Sequence, residues 1–385
     1  MSGIYIHIPF CKQACHYCDF HFSTSMKKKE DMVQALAKEI QLRKEELENE
    51  VVETIYFGGG TPSILQIADL SFLIDEVYKH YNVVHNPEIT LEANPDDLTT
   101  NLSFRGTRNL LEAYRMIGIN RLSIGIQSFF EEDLKLMNRA HNASEALECL
   151  QVAIQYFDNI TADLIYGIPG LTHEKWLQNI QTLLDLGIPH ISSYALTVEP
   201  KTALATLVKN GKIPTPDDGI AHEQFLMLVD LLEKNGFVHY ELSNFGKEGY
   251  FSKNNSAYWL GKKYIGIGPS AHSYDGTNRS WNVANNSLYM KAIAENTVPK
   301  EVETLSTTDR YNEYVMTGLR TIWGVSLERI ENEFGSIYLD YLLQNASTHL
   351  QEEKLELVNN ILKTTRKGKF FCDGIASDLF FINLD

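Results

Sequence analysis

Near the start of the chain, an apolar strand runs into three closely spaced cysteines: Ile4-Tyr5-Ile6-His7-Ile8-Pro9-Phe10-Cys11-Lys12-Gln13-Ala14-Cys15-His16-Tyr17-Cys18-Asp19-Phe20. The spacing C-x3-C-x2-C is typical of a chelating loop and not of a disulfide framework. Thiolates so close along one loop can converge on a single metal centre, and sulfur ligands select iron-sulfur clusters or zinc over hard cations. The loop 11–18 is therefore predicted to bind metal.

Two kinds of metal centre are compatible with the three cysteines of this loop. A [4Fe-4S] cluster held by Cys11, Cys15 and Cys18 keeps one iron without a protein ligand, and a small molecule can be chelated there. A closed zinc site would instead add His16 or His21 as a fourth ligand. The cluster is favoured because zinc motifs usually pair their ligands two and two.

Composition limits the classes of partner. The chain has 385 residues and a formal net charge of −16, which gives no electrostatic footprint for nucleic acid or an anionic membrane. We expect neither a secretory signal nor a transmembrane segment, and we expect a cytoplasmic protein. Cys149 and Cys372 are isolated, and a reducing compartment would keep them free as packing residues.

Strand and helix patterns alternate along the first part of the chain. About seven strands are expected, at 4–8, 54–57, 88–92, 121–126, 161–166, 191–197 and 239–242. Amphipathic stretches lie between them, at 25–49, 65–81, 105–117, 143–156, 173–186 and 220–235. This alternation predicts an α/β fold, a partial (β/α) barrel of the TIM-like type with parallel strands.

The domain organisation follows from where this alternation stops. Residues 1–245 are predicted to form the barrel, and the glycine- and aromatic-rich residues 246–300 to form an extension that closes it. Residues 301–385 are predicted to be a small helical domain, with helices at 308–322 and 326–344 and a short hairpin within 357–371.

Polar residues cluster where the predicted strands end. Gly58-Gly59-Gly60-Thr61 follows the second strand, and Glu92, Gln127 and Asp163 lie in or just after later strands. In parallel β/α folds this carboxyl edge is where ligands bind, and the cysteine loop leaves the same edge. A site is expected there.

Each of these residues also has a structural interpretation. The glycines could form a tight turn, and Glu92, Gln127, Arg139 and Asp163 could form an ion-pair network at the barrel mouth. Tyr5 and Tyr17 could be core packing residues. His7, His239 and His272 are chemically able to bind metal or heme, but lone histidines in apolar strands are more often core residues.

Six motifs resemble those of the radical S-adenosylmethionine (SAM) proteins related to oxygen-independent coproporphyrinogen III oxidase, and in particular of the heme chaperones among them. They are Tyr5 to Cys11, Tyr56 to Pro62, Leu91 to Pro95, Ser123 to Phe129, Asp163 to Gly170 and Gly266 to Ser273. The resemblance implies a [4Fe-4S] cluster on Cys11, Cys15 and Cys18, with SAM bound at its open iron. It also implies SAM contacts from Tyr5, Tyr17, Gly59, Gly60, Thr61, Glu92, Gln127, Arg139 and Asp163.

Two departures from the family pattern bear on function. The oxidases carry a fourth cysteine two residues beyond the third, and Phe20 stands there in this chain, which argues against decarboxylation of a porphyrinogen. The chaperones share a His-Asn-x-x-Tyr-Trp stretch thought to engage heme, and Asn254 replaces its histidine. The resemblance therefore implies a heme chaperone that carries heme as its cargo. Its partners would be a heme-acceptor protein and an electron donor. The alternative is a radical SAM oxidase that acts on porphyrinogen propionates. A zinc-stabilised scaffold without cofactor chemistry is the third and least favoured class.

Overall fold

The computed structural model describes residues 2–47, 50–99 and 104–382, with the backbone alone for 104–109. Parts of three predictions lie outside this range: the end of the helix 25–49, and the outer ends of the first and third domains.

Six parallel strands alternate with helices, as predicted, in the order β1-β2-β3-β4-β5-β6. The strands are β1 Ser2–Ile8, β2 Val52–Gly59, β3 Val83–Ala93, β4 Arg121–Gln127, β5 Ile160–Tyr166 and β6 His190–Ala195. The helices between and after them are α1 Lys29–Leu42, α2 Ile67–His80, α3 Pro95–Thr99, α4 Phe104–Met116, α5 Glu131–Leu136, α6 Ala143–Ala153, α7 His173–Asp185, α8 Ala203–Lys209 and α9 Asp218–Lys234. Short 3-10 helices lie at Lys44–Leu47 and Pro62–Ile64. The class is a partial barrel-like α/β fold.

The seventh predicted strand exists but does not continue the parallel winding. It is β7 Val238–Glu241, which forms an antiparallel hairpin with β8 Asn244–Gly246. β8 then pairs antiparallel with β6. Only a two-residue turn separates the two strands, and a connection that short can join only antiparallel neighbours.

Residues 253–304 extend the sheet from its other end. They form α10 Lys253–Trp259, β9 Lys263–Ile267, β10 His272–Tyr274, β11 Asn278–Asn282, α11 Asn286–Ala294 and β12 Lys300–Thr304. β9 pairs parallel with β1, and β10, β11 and β12 follow antiparallel to one another, so the sheet runs from β12 through β1 to β7. Among the described residues the two end strands do not pair with each other, and the sheet stays open.

The last part of the described chain builds a second core. It contains α12 Thr307–Leu319, β13 Val325–Ser326, α13 Leu327–Phe334, α14 Ser336–Gln351, β14 Leu355–Val358, β15 Ile361–Thr364, α15 Arg366–Lys369 and α16 Cys372–Asp378. β13, β15 and β14 form a small antiparallel sheet. The predicted helix 326–344 is split at Gly335, because its φ of 98° belongs to the left-handed region that ends helices.

Burial explains why these segments adopt their structures. Ile4, Ile6 and Ile8 of β1 are buried, and Val33, Leu36 and other apolar residues of α1 cover the sheet. None of the described helices has the length and hydropathy needed to cross a membrane.

Candidate functional site

The cysteine loop follows β1 and is fixed to the protein by backbone hydrogen bonds. The amide of Cys11 donates to the carbonyl of Ser23 at 3.1 Å, and the amide of Ser23 donates to Pro9 at 3.0 Å. The amide of His16 reaches the carbonyl of Met137 at 3.0 Å, which ties the loop to the region after α5. The loop is therefore held at both its base and its tip.

A cavity of about 470 Å³ opens at the carboxyl edge of the parallel strands, where the sequence predicted a site. All three loop cysteines line it and are partly exposed. Eight of the nine predicted SAM contacts also line it: Tyr17, Gly59, Gly60, Thr61, Glu92, Gln127, Arg139 and Asp163. The volume lies in the usual range for small-molecule and cofactor sites.

Tyr5 is the predicted contact that does not line the cavity. Its ring stacks on Tyr56 with 6.0 Å between centroids, and its hydroxyl lies 3.1 Å from Nδ1 of His7. A Cβ on Gly58 would come within 2.8 Å of the Tyr5 ring. Tyr5 therefore lies behind Gly58-Gly59-Gly60, which form the glycine edge of the cavity.

The glycine edge lies against the cysteine loop because it has no side chains. A Cβ on Gly60 would clash with the carbonyl oxygen of Phe10 and would lie 2.9 Å from that of Ile8. Gly59 has a φ of 111°, which non-glycine residues rarely adopt. The backbone of this edge is thus available to a ligand while it closes the base of the loop.

Two acidic side chains in the cavity have pKa values that are raised toward neutral pH. Burial raises the pKa of Glu92 to about 7, and Asp163 adds to the shift by repulsion. Burial likewise raises the pKa of Asp163 to about 6. Both carboxyl groups would bind a ligand that supplies hydroxyl donors or positive charge, since either would stabilise their ionised forms.

Arg139 and Asn94 connect two of the cysteines through hydrogen bonds. Arg139 donates from Nη2 to Oδ1 of Asn94 at 2.7 Å and from Nη1 to Sγ of Cys15 at 3.4 Å. Asn94 donates from Nδ2 to Oγ1 of Thr61 at 3.3 Å, and Thr61 donates to Sγ of Cys11 at 3.5 Å. Because guanidinium can only donate, this chain fixes the orientation of the amide.

The residues present fit a cluster with a bound amino-acid group. Burial raises the pKa of the Cys18 thiol to about 11 and also raises that of Cys11, and bound iron would offset this cost by stabilising the thiolates. The Nε of Arg139 is buried without a hydrogen-bond partner among the described residues, and it would suit a carboxylate.

Each histidine of the zinc alternative has one ring nitrogen in a hydrogen bond. Nδ1 of His16 lies 2.8 Å from the carbonyl of Leu136, and Nε2 of His21 lies 2.7 Å from Oδ1 of Asn286. Within the described ranges, no group of three or more Cys, His, Asp or Glu side chains is arranged around a single-ion position.

The predicted SAM contacts leave out some residues that the cavity contains, among them Asn94, Ser123, Tyr194 and Glu199. Asn94 follows β3 directly, and Tyr194 lies near the end of β6, so their place at strand ends was the available signal. Glu199 follows β6 in a segment without regular structure, where no periodicity marks it.

The heme-ligand candidates are scattered. His7 and His239 are buried, whereas His272 is exposed on β10. Asn254, at the position of the family histidine, is buried and accepts a hydrogen bond from Oγ1 of Thr54 at 2.9 Å.

The comparisons with known proteins agree with this architecture. The Radical SAM superfamily model matches residues 5–183, and the HemN C-terminal domain model matches residues 305–371. A solved structure described as coproporphyrinogen III oxidase (HemN) from Escherichia coli, a radical SAM enzyme, has a TM-score of 0.83 at 22% identity and covers 98% of this chain and 90% of its own. The chain is a radical SAM protein with a HemN-type C-terminal domain.

Two relatives narrow the family. The heme chaperone HemW of Bacillus subtilis is 34% identical over 92% of this chain and 92% of its own length. HemW of Mycobacterium tuberculosis (strain ATCC 25618 / H37Rv) is 32% identical over 98% of this chain and 94% of its own. The chain belongs to the HemW family of radical SAM proteins, as the sequence motifs predicted.

Proposed function

We propose that this protein is a heme chaperone that binds heme and transfers it to an acceptor protein. In this proposal Cys11, Cys15 and Cys18 hold a [4Fe-4S] cluster with SAM at its open iron. The observation that carries the cofactor assignment is the shared cavity, where three partly exposed thiols face a ring of polar groups. Heme as cargo follows the names of the HemW relatives, which align over nearly their whole length.

The cavity residues have distinct roles toward SAM in this proposal. The backbone of Gly59, Gly60 and Thr61 would meet the amino group, and Arg139 would pair with the carboxylate through its free Nε. Glu92, Gln127 and Asp163 would bind the ribose or face the sulfonium, Tyr17 would pack beside the cluster, and Tyr5 would support the glycine edge from behind. Cluster and SAM, when bound, would supply one-electron chemistry, which requires an electron donor.

We also retain the three-part division and the cytoplasmic location as proposals. The antiparallel hairpin of β7 and β8, which ends the parallel winding, supports a boundary near 245, and the second core, whose first buried residue is Tyr311, supports one near 300. All five cysteines are free, as a reducing compartment would keep them.

The test begins with anaerobic reconstitution of the cluster, followed by heme titration with the Soret band as readout. We expect saturation near one heme per chain and no decarboxylated product when a porphyrinogen, SAM and reductant are supplied. Product formation with turnover would support the oxidase alternative, and it would show that the exposed Phe20 at the cavity can stand in place of the fourth cysteine.

Substitutions at two cysteines distinguish loss of the cluster from a general loss of stability. Cys15→Ser should abolish the brown cluster chromophore. Cys149→Ala is the matched control, because Cys149 is buried in α6 and should affect stability without changing the spectrum. An unchanged spectrum for Cys15→Ser would refute the cluster assignment.

A further inference from the structure

Only one of the heme-ligand candidates is open to a ligand. The ring of His7 contacts the hydroxyl of Tyr5 and the carbonyl of His21, and the ring of His239 contacts Leu242 and Nζ of Lys369. These nitrogens are occupied, and both rings are buried. His272 is exposed, and its ring nitrogens make no hydrogen bond to any residue that the structure describes.

The register of β10 and β11 gives His272 aromatic and cationic neighbours. His272 lies opposite Trp281, and Tyr274 lies opposite Arg279. Alternate residues of a strand share a face, so these four side chains lie on the same face of the sheet. The rings of His272 and Trp281 have centroids 6.1 Å apart.

This face borders a second cavity, of about 230 Å³, between the sheet extension and the C-terminal core. Tyr274 and Arg279 line it, together with further aromatic residues. These are Tyr258, Trp259, Tyr264, Tyr314 and Phe334. Aromatic walls of this kind suit the face or edge of a planar conjugated ligand.

Three arginines converge on the same cavity: Arg279, Arg310 and Arg329. Arg279 pairs with Glu313 at 3.0 Å and Arg329 with Glu333 at 2.9 Å, whereas Arg310 forms no ion pair within the described residues. The Nε atoms of Arg279 and Arg310 are buried without partners in that same part of the chain. A ligand carboxylate would satisfy them, and the surplus positive charge stands out in a chain of net charge −16.

We propose that His272 is the axial ligand of bound heme, and that Arg279 and Arg310 bind its propionates. This inference rests on the proposed function, because it assumes that the cargo is heme. The cavity is smaller than the usual 300 to 1,000 Å³ of ligand sites, so it takes only the propionate edge of the macrocycle. The iron then lies over the exposed His272, about 7 Å farther along β10 than Tyr274.

The electrostatic surroundings favour the form of histidine that binds iron. Partial burial and the neighbouring Arg279 lower the pKa of His272, which favours the unprotonated imidazole. The site also accounts for the buried Asn254, because the ligand is supplied from β10 and not from α10.

The experiment compares heme titrations of the wild type, His272→Ala and Arg310→Gln, with absorption spectra of each complex. We expect His272→Ala to shift the Soret maximum and to weaken binding about ten-fold or more. Arg310→Gln should weaken binding about ten-fold without moving the Soret maximum, because it removes a charge-assisted hydrogen bond and not the ligand. Heme dimethyl ester should bind wild type and Arg310→Gln equally.

Matched controls are His85→Ala and Arg115→Gln, which alter exposed residues on β3 and α4. Both should bind heme like the wild type, and circular dichroism should confirm that all variants fold. If the wild type binds no heme, the proposed function and this inference both fail. If the wild type binds heme and His272→Ala keeps its spectrum and affinity, only the inference is refuted.

Discussion

The hydroxyl of Tyr56 donates a hydrogen bond to Oε1 of Glu92 at 2.8 Å, and the amide of Gly59 donates to Oε2 at 3.2 Å. These two bonds hold an acid in the wall of the cavity, yet burial outweighs them and the pKa of Glu92 is still raised to about 7. The site therefore holds a carboxyl group whose charge depends on pH in the physiological range.

We predict that Glu92 lowers the stability of the cluster-free protein as the pH rises from about 4.5 to about 7, against the opposite contribution of the buried His7, His141 and His239, whose pKa values are lowered. Folded Glu92 keeps the proton that the unfolded chain releases near its ordinary pKa of 4.5, so the folded state binds more protons across this window. Asp163, with a pKa of about 6, acts in the same direction. Because the carboxyl group of Glu92 lines the cavity, solvent screens its charge. We therefore expect its ionisation to lower the free energy of unfolding by about 1 to 2 kcal/mol.

Denaturant unfolding at several pH values measures the slope of the free energy of unfolding against pH. Glu92→Gln should make this slope more positive than that of the wild type, since the amide does not titrate and the negative contribution of Glu92 is lost. A slope that is the same in Glu92→Gln and the wild type would contradict the raised pKa.

Asn94→Ala should weaken retention of the cluster. The substitution removes the link between Thr61 and Arg139, whose donors point at Cys11 and Cys15. Residues that orient metal ligands typically change metal affinity 10- to 100-fold, so iron loss to a chelator should be about ten-fold faster. The reduction potential should also become more negative, because hydrogen bonds to cluster sulfurs raise it.

Asn94→Asp separates the effect of losing the bond to Thr61 from the effect of losing the bond to Arg139. The carboxylate still accepts from Arg139 but cannot donate to Thr61, so only the Cys11 side is altered. Asn235→Ala, at the exposed end of α9, is the control. Chelation rates and potentials equal to wild type in Asn94→Ala would contradict the linkage.

Gly60→Ala should disrupt the junction between the glycine edge and the cysteine loop. The new methyl group would clash with the carbonyl oxygen of Phe10, and backbone cannot move aside as a side chain can. We expect a loss of stability of about 2 kcal/mol or more, with poor cluster reconstitution.

Gly374→Ala is the matched control for that substitution. Gly374 lies in α16, and a Cβ added there would have no atom of a neighbouring residue within 4 Å, so alanine should stabilise the helix by about 0.5 to 1 kcal/mol. Thermal unfolding of both variants measures the contrast, and equal effects would contradict the steric argument.

Arg43→Ala should destabilise the protein strongly. Arg43 is buried and binds Glu39 at 3.1 Å, the carbonyl of Gly266 at 2.7 Å and Ser273 at 3.0 Å, so it fastens the extension to α1. Its loss leaves Glu39 buried without its cation, which costs about 3 to 5 kcal/mol. Arg115→Ala, at an exposed arginine that makes a single hydrogen bond to the carbonyl of Tyr156, should lower the free energy of unfolding by only about 1 kcal/mol or less.

The sequence predicted the parallel strands and the cavity edge because both depend on local patterns. Apolar runs such as Ile4 to Ile8 mark buried strands, and the polar residues that follow them mark a shared edge. Tertiary register is a different matter. The proximity of His272 to Arg279 depends on how β10 pairs with β11, and the link from Arg139 to Asn94 joins residues 45 positions apart. No periodicity in the chain carries such information.

The parallel pairing of β1 with β9 has a consequence for biogenesis. The strand that leads into the cysteine loop lies between β2 and a strand that begins at Lys263. On the ribosome, β1 therefore remains a sheet edge with unpaired backbone groups until more than half of the chain has emerged. Iron delivered before that point would meet a loop whose supporting strand has only one neighbour. Cluster insertion should thus follow completion of β9, and nascent chains that stop before it should depend on chaperones that cover exposed strand edges.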